Sequence, residues 1–424
     1  MVERARPQGP APLARRRRIP AMPNAHSHAF QLDLRGVGER VRRGGNDDFW
    51  SWRTAMYRLA GSHDPDSMRE VGARVYGMMA RAGYGAVGEF HYVHHRPDGT
   101  PYEDPNAMAI ALAEAALDRG LAITLLPAAY HRAGWADGAD VPPADGQRRF
   151  CDPSVAAYLE RVDALRDWAA GRDGVSVGVA AHSVRAVPAA WLAAIAEYAD
   201  RHALVRHVHA SEQRRELAEC EAEHGCSPIE LLHRTGFLGQ RTSVVHAIHV
   251  SDSDVARLAD SDTIVVTCPT TEGNLGDGIL PGLRYRDAGV RLAIGTDEQT
   301  RIDPFEELRE METLARREGE TRDALLAAAG GELWDVTAAA GRASLGLDGD
   351  PAGPADRAAA RAGAAASAIE IDLDHPELAA VAEEDLGWAL ATCASAAVVS
   401  AGVRVGDRGG GEPAPVAEMP NRAE

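Results

Sequence analysis

Eight short apolar segments recur between residues 20 and about 300, and longer helical patterns lie between them. The first segment leads into His26, and the others are YGAVGEFHYVHH (84–95), LAITLLPAAYH (121–131), VSVGVAAHSV (175–184), ALVRHVHASE (203–212), TSVVHAIHV (242–250), TIVVTCPTT (263–271) and VRLAIGTDE (290–298). Continuous apolar strands that alternate with helices are typical of a parallel sheet covered on both faces. Eight such units predict an α/β fold, a closed (β/α)8 TIM-type barrel. A doubly wound open sheet is the alternative, but no GxGxxG motif opens the first helix.

The chain is long enough for this barrel and accessory segments. We expect three parts, namely an N-terminal segment (1–20), the barrel (21–345), and a linker with a short C-terminal β segment and a mobile tail (346–424). The linker is predicted from the Ala-, Gly- and Pro-rich residues 347–368. Two β-like runs follow it, at 368–375 and 395–405.

Composition and charge argue against several functional classes. The formal net charge of −18 argues against nucleic acid or an anionic membrane surface as a partner. No apolar run is long enough for a transmembrane helix, and no signal core follows the basic N-terminus. Five scattered cysteines without a CxxC pair predict reduced thiols and a cytoplasmic location: Cys151, Cys220, Cys226, Cys268 and Cys393.

Polar residues end most of the predicted strands, where a core strand should avoid them. They are His28, His91, His182, His209, His246 and Asp297. Because the carboxyl ends of all barrel strands open onto one face, we expect one cluster of histidine and acidic side chains there.

The motif HSH predicts a metal site within this cluster. His26 and His28 are two residues apart on a strand, so both side chains point the same way. With His209 and Asp297 at other strand ends, three imidazoles and a carboxylate suit one divalent ion, Zn²⁺ or Fe²⁺, with room for a water molecule. Such an ion makes hydroxide available near neutral pH.

Proton transfer needs a further acid or base beside the metal. Glu212 lies three residues after His209, in the loop over the strand end, although a solvated loop glutamate is the ordinary alternative. His246 could be a core histidine bonded to the backbone, but its position at a strand end favours a role beside the water.

Several longer motifs resemble one family of the amidohydrolase superfamily. The chain is similar to the formimidoylglutamate deiminase family from residue 20 to about 345, on the motifs MPNAHSHAFQ, FWSWR, AGYGAVGEFHYVHH, HSVRAV, HVHASEQ, VVHAIHV, CPTTEGNLGDGI and GTDEQTRIDPFEELRE. The resemblance implies metal-dependent hydrolysis of N-formimidoyl-L-glutamate to N-formyl-L-glutamate and ammonia, by hydroxide attack on the formimidoyl carbon. It also implies a place in histidine degradation.

The resemblance assigns roles to individual residues. It implies that the metal ligands are His26, His28, His209 and Asp297, and that the catalytic residues are Glu212, His246 and Asp297. Arg53 and Arg185 would bind the two substrate carboxylates, since a planar guanidinium suits bidentate pairing. Gln31, Tyr92 and His182 also fall on positions that contact substrate in the family.

Some features depart from that family. Glu298 and Gln299 follow the strand-eight aspartate, and an extra carboxylate there could repel a dianionic substrate. Only about 20 residues precede the barrel, and they do not read as strands, so we expect a reduced terminal β-sandwich. The exposed edges of the sandwich strands would then need to be covered by a second subunit, and we expect a homodimer.

Two other functions remain open on the sequence. One is a purine, pyrimidine or related amidine deaminase, although a neutral base needs no pair of arginines. The other is a non-catalytic descendant that binds a dicarboxylate or a metal, although such a protein has no use for Glu212 as a proton shuttle.

Overall fold

The computed structural model describes residues 14–40, 49–348 and 368–401. Its strands are β1 Arg16–Pro20, β2 Met22–Ser27, β3 Tyr84–His91, β4 Ala122–Ala129, β5 Gly134–Ala136, β6 Ala139–Val141, β7 Val175–Val177, β8 Val179–Ser183, β9 Arg206–Ala210, β10 Thr242–His246, β11 Ile264–Thr267, β12 Leu292–Ile294, β13 Ala368–Asp372 and β14 Val399–Ala401.

Eight parallel strands form the barrel, in the order β12-β11-β10-β9-β8-β4-β3-β2. The first and last strands of this order, β12 and β2, are connected just after β12. There the backbone N–H groups of Thr296 and Asp297 both donate to the His26 carbonyl at 3.1 Å. The predicted (β/α)8 barrel is therefore confirmed, and the open-sheet alternative is wrong. The segment predicted as one strand over 175–184 is divided at Gly178, where a Cβ atom would lie 2.7 Å from the Val205 carbonyl oxygen.

The described residues form fourteen α-helices. They are α1 Phe49–Ala60, α2 Pro65–Ala82, α3 Ala107–Asp118, α4 Val155–Ala169, α5 Ala189–Arg201, α6 Arg214–His224, α7 Pro228–Arg234, α8 Asp252–Asp260, α9 Pro269–Leu275, α10 Gly282–Ala288, α11 Pro304–Gly319, α12 Leu325–Ala328, α13 Leu333–Ser344 and α14 Leu386–Thr392. The Asp64 side chain caps the start of α2, and Gly83 ends that helix with a left-handed φ of 104°. Across the described ranges, no helix combines the length and the apolar character that a bilayer span requires.

A small antiparallel sheet lies beside the barrel, with the order β1-β13-β14. The expectation that residues before the barrel do not form strands is wrong for Arg16–Pro20. Its three arginines are exposed, so the strand lacks the alternation of apolar and polar residues by which a strand is predicted. Arg17 pairs with Glu383, outside the strand, at 2.8 Å. Most of the predicted linker (349–367) and the tail from residue 402 lie outside the described residues.

Candidate metal centre and substrate cavity

Three imidazoles meet at the carboxyl ends of the barrel strands. His26 lies in β2, His28 follows that strand directly, and His209 lies in β9. All three are buried, and one ring nitrogen of each lies within 4.8 Å of the others. The Nε2 atoms of His26 and His209 are 3.1 Å apart. These side chains could hold a single ion between them.

The surroundings of these rings favour the neutral form of the imidazole. The Nδ1–H group of His28 donates to the Phe90 carbonyl at 2.7 Å, and that of His209 donates to the His182 carbonyl at 2.9 Å. Each bond leaves an unprotonated Nε2 atom that faces the cluster. Burial lowers the pKa of His26 to about 3 and also lowers the pKa of His28 and of His209. At neutral pH the rings are therefore in the neutral form that binds metal.

Asp297 supplies a carboxylate to the same cluster. Its Oδ1 atom lies 3.4 Å from His26 Nε2 and 3.3 Å from His28 Nε2. Burial alone would raise the pKa of Asp297, but the hydrogen bond with His26 and the neighbouring imidazoles lower it below its ordinary value. The residue has a left-handed φ of 46°, a strained conformation that aims its side chain at the imidazoles.

His246 and Glu212 lie on the other side of Asp297. His246 Nε2 is 3.7 Å from Asp297 Oδ2 and 3.7 Å from Glu212 Oε1. Burial raises the pKa of Glu212, whereas the carboxylates around His246 raise the pKa of that imidazole in spite of its burial. Both groups can therefore hold a proton near neutral pH, as proton transfer requires.

Glu272 is a buried residue of α9 that the sequence analysis did not single out. Its Oε1 atom lies 3.3 Å from His246 Nδ1 and also accepts a hydrogen bond from the backbone N–H of Cys268 at 2.8 Å. Thr267 donates to its other oxygen at 2.7 Å. The carboxylate thus sets which nitrogen of His246 carries a proton. The motif CPTTEGNLGDGI contains two acids, Glu272 and Asp277, and no local feature marked Glu272 as the partner of His246.

Glu89 is a second unpredicted carboxylate, buried within β3. It accepts hydrogen bonds from Ser27 Oγ at 2.8 Å, from the backbone N–H of Ala29 at 2.7 Å and from the Tyr76 hydroxyl at 3.0 Å. Burial raises its pKa to about 7 against these three bonds. Glu89 therefore binds both neighbours of His28, the side chain of Ser27 and the backbone of Ala29.

A cavity opens over the imidazole cluster. All five residues predicted to contact substrate line it: Gln31, Arg53, Tyr92, His182 and Arg185. The amide of Gln31 donates to the Tyr92 hydroxyl at 2.8 Å, and this hydroxyl lies 3.4 Å from Met56 Sδ. His28, His209, Glu212, His246 and Asp297 line the same cavity, so the structure brings the predicted metal and substrate residues together.

The two arginines approach the cavity from different elements. Arg53 belongs to α1, and burial together with the nearby charge of Arg185 lowers its pKa, which still lies far above neutrality. Arg185 follows β8, and its Nη1 atom donates to the Ala133 carbonyl at 2.7 Å. The cavity therefore has carboxylates and imidazoles at one end and guanidinium groups in its wall.

Arg149 connects α1 to the barrel. This fully buried guanidinium donates to the carbonyls of Ala60 and of His63 (3.0 Å) at the end of α1, and to the His95 carbonyl at 3.0 Å. The backbone carbonyl of Arg149 in turn accepts the N–H groups of His94 and His95. The helix that carries Arg53 is thus bound to the loop after Tyr92.

Two expectations about the strand ends need correction. His91 does not join the cluster, because its neighbours Phe90 and Tyr92 point inward and His91 points to the opposite side, where its ring lies 5.2 Å from that of His94. Glu298 is not among the described residues that line the cavity. Its Oε1 atom instead accepts hydrogen bonds from Asn274 at 2.6 Å and Thr300 at 2.7 Å.

Comparisons with known proteins agree with this architecture. Residues 18–329 match the model of the amidohydrolase family. The chain is 39% identical over 334 residues to the formimidoylglutamate deiminase of Pseudomonas aeruginosa, which covers 77% of this chain and 72% of that protein. It is 31% identical over 195 residues to a 5-methylthioadenosine/S-adenosylhomocysteine deaminase of Desulforudis audaxviator, which covers 45% of each chain.

Solved structures show the same fold. An amidohydrolase from Brucella melitensis has a TM-score of 0.78 and 30% identity and covers 92% of this chain and 86% of its own. A zinc-bound adenosine deaminase from Xanthomonas campestris has a TM-score of 0.69 and 21% identity, with coverage of 90% and 77%. The resemblance predicted from the motifs is confirmed. The chain belongs to the amidohydrolase family and is a hydrolase that acts on carbon–nitrogen bonds.

Proposed function

We propose that this protein hydrolyses N-formimidoyl-L-glutamate to N-formyl-L-glutamate and ammonia. The single observation that carries the proposal is that one cavity is lined both by His28 and His209 of the three-imidazole cluster and by two arginines, Arg53 and Arg185. A substrate with a hydrolysable amidine and two carboxylates matches this distribution of charge. The similarity to the deiminase of Pseudomonas aeruginosa supports the same reaction.

One divalent metal ion is part of the proposal. The donor set suits Zn²⁺, with Fe²⁺ as the alternative, and His26, His28, His209 and Asp297 would hold it. The unprotonated Nε2 atoms of His28 and His209 point into the cluster, where a bound cation would give both of them a partner. When bound, the ion supplies Lewis-acid chemistry that makes water a nucleophile at neutral pH.

The protein's own groups would move the protons. Asp297 accepts a proton from the attacking water, and Glu212 delivers a proton to the nitrogen that leaves as ammonia. His246 orients the water and polarises the amidine, since its Nε2 lies 3.7 Å from a carboxylate oxygen of each of these residues. Arg53 and Arg185 bind the carboxylates, and Gln31, Tyr92 and His182 complete the wall around the substrate.

A ring-amidine deaminase is the second candidate, because several relatives carry such names. The two guanidinium groups in the cavity disfavour it, since an uncharged base offers no carboxylate to pair with them. We also propose a cytoplasmic location, in agreement with five unpaired cysteines. The homodimer stays a prediction.

Ammonia release tests the proposal directly. The metal-loaded protein is incubated with N-formimidoyl-L-glutamate and, in parallel, with adenosine, and the products are identified by NMR. We expect N-formyl-L-glutamate, a loss of activity on chelation, and its return when Zn²⁺ is added. In Glu212→Gln the rate should fall by about 10³-fold with the metal content unchanged. Full metal occupancy without ammonia release would refute the function, and activity on adenosine alone would favour the second candidate.

A further inference from the structure

Glu216 is a buried carboxylate for which the proposed reaction has no task. It lies in the first turn of α6, four residues after Glu212, and only 7% of its surface is exposed. Its Oε2 atom accepts a hydrogen bond from the backbone N–H of Glu212 at 3.1 Å. The side chain also lines the substrate cavity. A buried acid therefore bonds the main chain of the residue proposed to move protons.

The turn that carries Glu212 is strained. Ser211 is fully buried and has a left-handed φ of 58°, which residues other than glycine rarely adopt. Such a conformation persists only where the surroundings enforce it. On one side, the Ser211 carbonyl accepts the backbone N–H groups of Ile248 at 3.0 Å and His249 at 2.9 Å. On the other side, Glu216 holds the N–H of Glu212.

Among the residues that the structure describes, no other side chain accepts a hydrogen bond from the backbone at the start of α6. Gln213 precedes the helix and makes no side-chain capping bond. Glu216 therefore reaches back from the first helical turn to the loop, as the glutamate of a capping box does. Burial raises the pKa of Glu216 to about 6, and the backbone N–H groups of the turn together with Arg185 oppose that rise. Above pH 7 the bond is consequently assisted by charge.

We propose that Glu216 is a positioning residue that holds the turn of residues 211–213 so that the Glu212 carboxyl points toward His246. The inference rests on the role proposed above for Glu212. It requires that loss of Glu216 affects turnover through the backbone of Glu212, while the metal ligands and the two arginines stay in place.

Two substitutions separate this role from general stability. In Glu216→Ala the N–H of Glu212 loses its acceptor, and we expect kcat to fall about tenfold or more while KM changes less than about threefold. Glu216→Gln keeps an acceptor oxygen without the charge, and its kcat should lie between those of the alanine variant and the native protein. Glu219→Ala is the matched control, because Glu219 lies on the same helix and pairs with Arg215 at 2.7 Å.

Amide hydrogen exchange of the metal-loaded protein provides a measurement that needs no substrate. We expect the Glu212 amide to exchange about tenfold faster in Glu216→Ala, less so in Glu216→Gln, and at the native rate in Glu219→Ala. If the alanine variant does not fold, the glutamine variant must still show faster exchange.

The possible outcomes are distinguishable. Native exchange at Glu212 in the Glu216 variants would overturn the inference, and so would native kcat in Glu216→Ala of an active enzyme. A glutamine variant as impaired as the alanine variant would overturn it too. If the native protein releases no ammonia from N-formimidoyl-L-glutamate, the proposed function fails, and amide exchange alone then decides the role of Glu216.

Discussion

Replacement of Arg185 by methionine removes one guanidinium from the cavity and keeps the apolar stem. The Arg185 side chain is fixed against the loop after β4 by its bond to the Ala133 carbonyl at 2.7 Å, so little ordering is needed when a carboxylate binds. Two charge-assisted hydrogen bonds of a bidentate pair contribute about 3 kcal/mol together, after the lost solvation of both groups. We therefore expect kcat/KM to fall roughly 100-fold, almost entirely through KM.

The assay compares three substrates by ammonia release. They are N-formimidoyl-L-glutamate and two analogues that each lack one of its carboxylates. For the analogue without the carboxylate that Arg185 binds, native protein and Arg185→Met should have the same kcat/KM; for the other two substrates the roughly 100-fold difference should remain. Arg53→Met is the matched control. Its kcat/KM should equal that of the native protein only for the analogue that lacks the other carboxylate. An equal loss on all three substrates, or an unchanged KM, would refute the carboxylate site.

Three further predictions follow from buried groups around the site. Glu272→Gln removes the charge beside His246, so kcat should fall at least about tenfold and its pH profile should shift with metal content unchanged; an unshifted profile would contradict this role. The pKa of Glu89 is raised to about 7 from 4.5, so its contribution to stability is present below pH 4.5 and is lost as the pH rises through 7. Urea unfolding at pH 5 and 7.5 should therefore show that the unfolding free energy of the native protein falls by about 2.4 kcal/mol relative to that of Glu89→Gln, whereas parallel pH dependences would exclude this contribution. Arg149→Lys cannot bond both carbonyls at the end of α1 and the His95 carbonyl at once, so the melting temperature should fall and KM should rise about tenfold as Arg53 loses its position; an unchanged KM would show that α1 is held by other contacts.

The residues proposed to bind the metal were predictable because each of them lies in a recognisable local sequence pattern. The alternation of a strand places His26 and His28 on one side, and the strand ends after 209 and 297 carry the other proposed ligands. The same reasoning was wrong for His91. An apolar strand buried on both faces does not reveal which of two neighbouring residues points inward, and here Phe90 and Tyr92 do.

The carboxylates that support the site could not be predicted in the same way. Glu89, Glu216 and Glu272 are charged residues in a strand or in short helical turns, and nothing local distinguishes them from solvated acids. Their proposed roles depend on tertiary contacts: Glu89 bonds Ser27 and Ala29, Glu216 bonds the Glu212 backbone, and Glu272 contacts His246.

The amino-acid sequence by itself determined the eight-fold alternation of strand and helix, and with it a barrel whose strand ends carry imidazoles and acids. These properties follow from hydrophobic periodicity and from residue order, which are local. Only the tertiary structure decided which side chains share the cavity, because that depends on contacts such as the one between His26 and His209, which are 183 positions apart. Burial of Glu212 and Glu216 at that cavity, and of Glu89 within β3, then raises the pKa of each of these carboxyl groups.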